Sequence, residues 1–489
     1  MVFSNLIFLY VFLPLNLLCY SLAKDIRTKN VILLIFSLVF YAWGEPKFVL
    51  LLVSMTFIDW LFSLGIEKFR GTGKAKMYLI LACTFSLGLL GIFKYGSFTI
   101  ANIQALTGFP AVVPKIALPI GISFYTFQIL SYVIDVYRGE IPAQHNFGLL
   151  LMYKSLFHVC IAGPIVRYKD ISEELLFRKT TPEQFSAGIT RFTVGLGKKA
   201  LLANTCGSLT NTILLADKVA SDPNLLSANI TALSGKPAIL LWLGVVMFML
   251  QIYLDFSAYS DMAIGMGLMI GFHYKENFLY PYTASSVTQF WRQWHISLSS
   301  FFRDYVYFPL GGSRKGKART VFNLLVVWLL TGLWHGASWN FVLWGLYFFI
   351  FIVFEKLVLG KVLDKIPKFF GHAYLLLIVF FSWILFRFRR LTLVWVVFKG
   401  LFCGNGNMFT SFEAKTMWLN YLLFLAAAII AVTPLAKKLY EKLINKAGQN
   451  VASSRVLGAV QVSAVVIVIL LSTLALIGNS YNPFIYFQF

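Results

Sequence analysis

The sequence predicts an all-α fold, a polytopic bundle of helices embedded in a membrane. Three observations carry this. Of 489 residues, 58% are apolar and only 13% charged, where a soluble domain has about a quarter of its residues charged. Apolar runs of bilayer-spanning length recur along the chain, and the mean hydropathy is +0.75. Lys and Arg collect in short segments between those runs, at 24–29, 67–76, 167–179, 303–319, 356–368 and 437–455, whereas 97–112 and 217–235 are nearly uncharged. This distribution follows the positive-inside rule. The formal charge of +22 therefore orients the chain and excludes a nucleic-acid partner.

Each apolar run is a candidate spanning or membrane-embedded helix. The first, 3–22, lacks a basic n-region and a small-residue cleavage site, so it reads as a retained helix rather than a signal peptide. Runs at 30–44, 48–66, 77–95, 117–137 and 147–166 follow. The run 184–216 contains Arg191, Lys198 and Lys199, so part of it should lie against protein or the membrane interface. The run 238–271 is too long for one simple crossing and is expected to break near Asp255–Asp261. Further helices are expected at 287–305, 319–335, 340–357, 370–387, 416–435 and 456–478. No tandem repeat, low-complexity tract or soluble module interrupts them, so 1–489 reads as a single polytopic domain.

Placing the basic segments in the cytoplasm gives one route through the bilayer. The N-terminus starts outside, Lys24–Lys29 and Lys68–Lys76 are inside, and Gly44–Lys47 is outside. Arg314–Arg319, Lys356–Lys368 and Lys437–Arg455 fall inside, and the C-terminal Tyr481–Phe489 outside. The cluster Arg387–Arg390 breaks the rule by landing outside. Five scattered cysteines have no paired spacing, and CxxC and HExxH are absent, so no metal site is expected.

His335 is the strongest chemical candidate. With a helix starting near Thr320, it lies 15 residues on, roughly 22 Å from the cytoplasmic end and inside a hydrocarbon layer about 30 Å thick. Gly332, Gly336 and Ala337 beside it permit a helix break and close backbone approach, as a substrate tunnel needs. Intramembrane ionisable groups are rare and mark function, although a neighbouring carbonyl can also satisfy a buried histidine. His295 shares a helical face with Trp291, Trp294, Leu298, Phe302 and Tyr305, opposite Arg292, Gln293, Ser300, Arg303 and Asp304. That pattern fits an interfacial helix, a cavity wall, or a histidine packed among aromatics.

Asp255, Asp261 and Asp135 stand at or near membrane depth and need partners, for which Arg138, Arg292 and Arg303 are available. Asp255, Asp261, Arg292, Ser338 and Asn340 are the polar residues expected around a cavity. The glycine-rich loop carrying Arg314, Lys315, Lys317 and Arg319 either holds donor phosphates through backbone N–H groups and cations or is a topological anchor. The aromatic end Asn482–Phe489 is expected to dock at an outer mouth or on a partner, with the Tyr486 hydroxyl a further acyl-relay candidate.

WRQWHISLSSFFRDYVYFPLGG, followed by LTGLWHGASWNFVLWG, resembles the membrane-bound O-acyltransferases, in particular their bacterial alginate O-acetylation branch. MVFSNLIFLYVFLPL, ALPIGISFYTFQILSYVIDVYRG, QIYLDFSAYSDMAIG and NPFIYFQF are similar too. The resemblance covers essentially the whole chain, with a core at about 115–357, additional helices at 370–478, and its weakest part at roughly 358–470. It implies a helical bundle whose funnels from both faces meet at a histidine, with His335 the catalytic position and His295 the second family histidine. It also implies acyl transfer from a cytosolic thioester, acetyl-CoA or an acyl carrier, toward hydroxyls of an extracytoplasmic polysaccharide across a bacterial inner membrane. No bound cofactor is expected, and the implied partner is an extracytoplasmic hydrolase-like acetyltransferase. His335 would then act as general base or be acylated transiently. The rivals are D-alanyl transfer toward teichoic acids, a non-catalytic acyl transporter, and a scaffold for a secreted acetyltransferase.

Overall fold

The computed structural model describes residues 2–108, 112–114, 116–363, 365–447, 451–478 and 484, and these form helices joined by short irregular segments, with no strand among them. Among the described residues, seven helices are long and apolar enough to cross a membrane: Ile26–Gly44, Phe48–Lys68, Gly73–Thr107, Ala238–Ile270, Trp339–Leu359, Lys368–Arg387 and Arg455–Gly478. The pair Phe412–Asn420 and Leu422–Ala431, bent by 48°, adds an eighth if counted as one span. The fold is all-α and polytopic, as the hydropathy requires.

Local signals set several helix starts. Asp25 caps Ile26–Gly44, its carboxylate accepting from the Thr28 backbone N–H at 2.9 Å and the Thr28 hydroxyl at 2.6 Å. Asn146 caps Phe147–Ser155 through the Leu149 N–H, and Ser286 caps Val287–Gln293 through the Gln289 N–H.

Contacts group the chain into two units, Met1–Phe192 with Tyr259–Asn277, and Thr193–Ala258 with Phe278–Phe489. The first packs Leu33, Ile66, Ile129, Tyr132, Met152 and Tyr153 into a buried core. Polar groups are buried there in pairs. The Lys154 ammonium lies 3.8 Å from the Asp59 carboxylate, which also accepts from the Ser86 hydroxyl at 2.9 Å. Lys169 reaches Asp135 at 3.3 Å and Glu140 at 2.7 Å. Outside the spanning helices, the Lys169 hydrogen bond holds the Glu140 carboxyl below its ordinary range. The expected helix 147–166 ends at Ser155, and 156–166 is irregular but buried. Irregular backbone survives at membrane depth because protein satisfies it: the Phe157 N–H donates to the Ser37 hydroxyl, and the Tyr153 hydroxyl to the Val166 carbonyl.

The expected break near Asp255–Asp261 does not occur, because Ala238–Ile270 is one 33-residue helix. Its acids are neutralised by cations from other segments rather than by unwinding. Within the second unit, Lys199 sits 2.7 Å from Asp255, and the two are 3% and 1% exposed. Within the first, Arg191 bridges Asp261 at 2.6 Å and Glu276 at 2.7 Å. The expected partners lie elsewhere: Arg138 faces Glu140 and Arg303 faces Asp304. Lys199 belongs to a π-helical turn, Lys198–Ala203, and such turns insert one extra residue and re-aim a side chain.

In the second unit, Lys317–His335 and Trp339–Phe354 form a tight hairpin. A Cβ on Gly332 would stand 2.3 Å from the Phe341 carbonyl oxygen, and one on Gly345 2.3 Å from that of Trp328. The two glycines let the helices touch backbone to backbone. Gly332 thus provides the close backbone approach expected of it, here between the two helices of the hairpin.

Candidate active site

His335 is the last residue of Lys317–His335, so it stands about 27 Å along the helix from its start at 1.5 Å per residue. It is 7% exposed. Its ring is enclosed by Trp334, Trp344 and Phe386, with centroids at 5.1, 4.9 and 5.2 Å, all edge-on. Such a cage excludes bulk water from the ring.

His295 does not lie within a continuous helix, as the spacing had suggested. It joins Val287–Gln293 to Ile296–Phe302 with φ 44° and ψ 55°, a left-handed conformation that side-chain-bearing residues seldom adopt and that collects at functional sites. The two faces nevertheless stand as expected. Trp291, Trp294, Leu298, Phe302 and Tyr305 are buried, while Arg292 and Arg303 are exposed. The His295 ring packs edge-on against Phe256 at 4.7 Å and Trp334 at 5.6 Å. Trp334 therefore separates the two histidines and touches both.

A cavity of about 260 Å³ is lined by Trp291, Arg292, Ser299, Arg303, Trp328 and Thr331 among others. Leu324, Val327, Trp328 and Thr331 line it from one stripe of Lys317–His335, and His335, four residues beyond Thr331, continues that stripe. The cavity wall thus carries two cations, Arg292 and Arg303, and His335 stands one helical turn beyond its lining residue Thr331.

The basic loop is a built turn. Gly311, Gly312 and Gly316 have φ of 104°, 57° and 88°, where a side chain would be strained. Buried Asn323 donates to the Leu310 carbonyl at 3.3 Å and the Gly312 carbonyl at 2.9 Å, and Arg319 donates to Leu310 at 3.1 Å. Arg314, Lys315, Lys317 and Arg319 are exposed.

Of the polar residues expected around a cavity, Arg292 lines this one. Asp255 and Asp261 are held in the ion pairs described above. Ser338 hydrogen-bonds Asn340, and fully buried Asn340 donates to the Leu385 and Phe386 carbonyls at 3.2 and 3.3 Å. Asn340 thereby ties the hairpin to the helix end that supplies Phe386 to the His335 cage. Tyr486 lies outside the described residues. Phe484 is 2% exposed, with its ring 6.4 Å from that of Phe256, which packs on His295.

Sequence reasoning missed three contributors. Phe386 and Trp344 close the cage, but an aromatic in an apolar run looks like lipid-facing bulk. Glu355, 4% exposed, accepts from the Val287 and Thr288 N–H groups at 2.6 and 2.8 Å and from the Thr288 hydroxyl at 2.6 Å. It caps the helix carrying Trp291 and Arg292 from 68 positions away, a pairing no local pattern reveals.

The polytopic bundle buries two histidines in an aromatic wall, near a cavity whose lining includes Arg292 and Arg303. The family model that matches residues 140–398 is the membrane-bound O-acyltransferase family, and the chain belongs to that family. It is an acyltransferase. It is 36% identical to a probable alginate O-acetylase of Azotobacter vinelandii, over the full length of both chains. It is 29% identical to a peptidoglycan O-acetyltransferase of Helicobacter pylori over 83% of this chain and 80% of that protein. A teichoic acid D-alanyltransferase of Bacillus subtilis is more distant, 26% identical over 47% of this chain and 56% of its own length.

Proposed function

We propose that this protein carries acetyl groups from a cytosolic thioester, acetyl-CoA or an acyl carrier, across a bacterial inner membrane toward hydroxyls of an extracytoplasmic polysaccharide. The carrying observation is His335: buried, caged by aromatics, and continuing the helix stripe that lines the cavity. Full-length similarity to an alginate O-acetylase favours acetyl transfer over D-alanyl transfer.

In this reading the basic loop end faces the cytoplasm. Arg292 and Arg303 at the cavity mouth, with Arg314, Lys315, Lys317 and Arg319 beyond it, attract the phosphates of the donor. The acetyl thioester enters the cavity along the Leu324–Thr331 stripe. His335 accepts the proton of an acceptor hydroxyl presented from the outer side, that oxygen bonds to the carbonyl carbon, the C–S bond breaks, and the thiolate leaves with the proton that His335 returns, so the acetyl group is now an ester on the acceptor. His295, through Trp334, shapes the wall on which the acyl group rests. An extracytoplasmic hydrolase-like acetyltransferase completes transfer to the polymer.

The test is acetyl transfer by purified protein in detergent with acetyl-CoA as donor. His335→Ala should lower the rate by about 10²–10⁴-fold, the usual cost of losing a general base, with the same amount of folded protein. Near-normal transfer by that variant would overturn the assignment.

A further inference from the structure

The helix Leu435–Ala447, LAKKLYEKLINKA, divides into two unlike faces. At about 100° per residue, Leu435, Leu439, Tyr440, Leu443 and Ile444 take one half of its surface, and Lys437, Lys438, Glu441, Lys442 and Asn445 the other. An amphipathic helix of a folded domain turns its apolar half onto a core. This one does not: Leu435, Leu439, Leu443 and Ile444 are 58%, 61%, 49% and 39% exposed. Its 13 residues make it about 20 Å long, too short for a hydrocarbon layer of about 30 Å. Its lysines also bar it from that layer. Lys437 pairs loosely with Glu441 at 3.9 Å, and Lys438 and Lys442 are exposed.

The level of the helix is the second observation. It packs against the last spanning helix, where the Tyr440 hydroxyl donates to the Gln461 side-chain oxygen at 3.0 Å. Beyond Gln461 that helix turns apolar, with Ser463, Ser472 and Thr473 the polar residues of 462–478. Only 6% of the span Arg455–Gly478 is buried inside the protein, so its surroundings are lipid. Gln461 thus marks the edge of the hydrocarbon, where a tyrosine ring and its hydroxyl are at home. Tyr440 belongs to the apolar half of Leu435–Ala447, so that open half adjoins a lipid-facing surface.

We propose that Leu435–Ala447 lies in the headgroup layer and that Lys437, Lys438 and Lys442 bind the phosphates of anionic phospholipid. Leu435, Leu439, Leu443 and Ile444 then enter the boundary between headgroups and acyl chains, as the apolar face of an interfacial helix does. The lysine stems lie over that boundary while the ammonium groups reach the phosphates. With the basic segments inside, the leaflet is the cytoplasmic one. An acidic protein partner is the poorer fit, because it would take the lysines and leave four apolar side chains in water. A lipid surface satisfies both halves at once.

The test has two arms, both on the purified full-length chain. In the first, the five cysteines are replaced by alanine, and a single nitroxide is attached at Lys438→Cys, Leu439→Cys, Lys442→Cys or Leu443→Cys. The protein is placed in mixed phosphatidylcholine and phosphatidylglycerol vesicles. Oxygen, which concentrates in lipid, should relax the labels at 439 and 443, and a water-soluble nickel chelate those at 438 and 442. Nickel access at all four positions, or access by neither reagent, would overturn the proposal. The second arm keeps the native cysteines and counts bound lipids by mass spectrometry from detergent. Phosphatidylglycerol should bind more tightly than phosphatidylcholine, and raised salt should erode the difference. Lys437→Gln with Lys438→Gln and Lys442→Gln should weaken phosphatidylglycerol binding by about tenfold or more, whereas arginine at all three positions should preserve it. Equal binding of the two lipids by the wild type, or an undiminished preference in the glutamine variant, would contradict the lysine assignment. So would capture of an acidic acyl carrier protein through these lysines by a chain that shows no lipid preference.

Discussion

His295 holds a backbone conformation that its side chain makes costly, and it does so at the junction of two short helices beside the aromatic wall around His335. Strain of this kind, of order 1–3 kcal/mol, persists only where the surroundings enforce it, and here Phe256 and Trp334 do. Replacing His295 with Asn, which tolerates left-handed backbone, should remove the ring with little loss of stability. His295→Ala should be the less stable of the two. Both variants should lose acetyl transfer in a graded way, about tenfold rather than completely. Loss as deep as that of His335→Ala would make His295 a catalytic partner, and unchanged rates would make it packing. Asn340 acts at one remove, through Phe386. Asn340→Leu leaves two buried carbonyls without their donor, at about 1–3 kcal/mol. It should slow turnover while KM for the donor stays put, because the damage is at the cage and not at the arginines that line the cavity. A raised KM with normal turnover would contradict that placement.

At the scale of elements, the hairpin that carries His335 and the short helices beside it are held by long-range polar contacts. Glu355 caps Val287–Gln293 with three hydrogen bonds. Glu355→Gln keeps the volume but weakens the acceptor and its interaction with the helix N-terminus, by about 1–2 kcal/mol. The expected result is a lower melting temperature and a higher KM for the donor, since Arg292 sits on the capped helix. Wild-type values for both would show that the cap positions nothing. The apolar runs, their approximate ends and the amphipathic faces around His295 were legible in the sequence because they are periodic. The unbroken helix through Asp255 and Asp261, the stop at Ser155 and the bend at His295 were not. Each depends on a cation, hydroxyl or ring brought from far along the chain, and local spacing carries no trace of it.

At the scale of the molecule, the burial of His335 was legible because it follows from its place in an apolar helix. Its cage was not, since Phe386 comes from the region where the resemblance is weakest. The expected orientation of the chain rests on its charge. Neutralising Arg314, Lys315, Lys317 and Arg319 together should raise KM for acetyl-CoA several-fold with a smaller change in kcat, as lost phosphate attraction predicts. Cysteines placed at 313–318 should label only from the cytoplasmic side. Unchanged KM, or labelling from the outer side, would reduce the loop to an anchor or reverse the topology.

The central claim is that an acetyl group crosses the bilayer at His335. Sealed vesicles holding the protein in one orientation, together with the extracytoplasmic acetyltransferase and its polysaccharide inside, test it directly when labelled acetyl-CoA is supplied to one face at a time. Donor offered at the basic-loop face should give acetylated polymer in the lumen of wild-type vesicles and none with His335→Ala. Donor offered only at the opposite face should give none. Label reaching the polymer in His335→Ala vesicles, or equally from either face, would contradict the account.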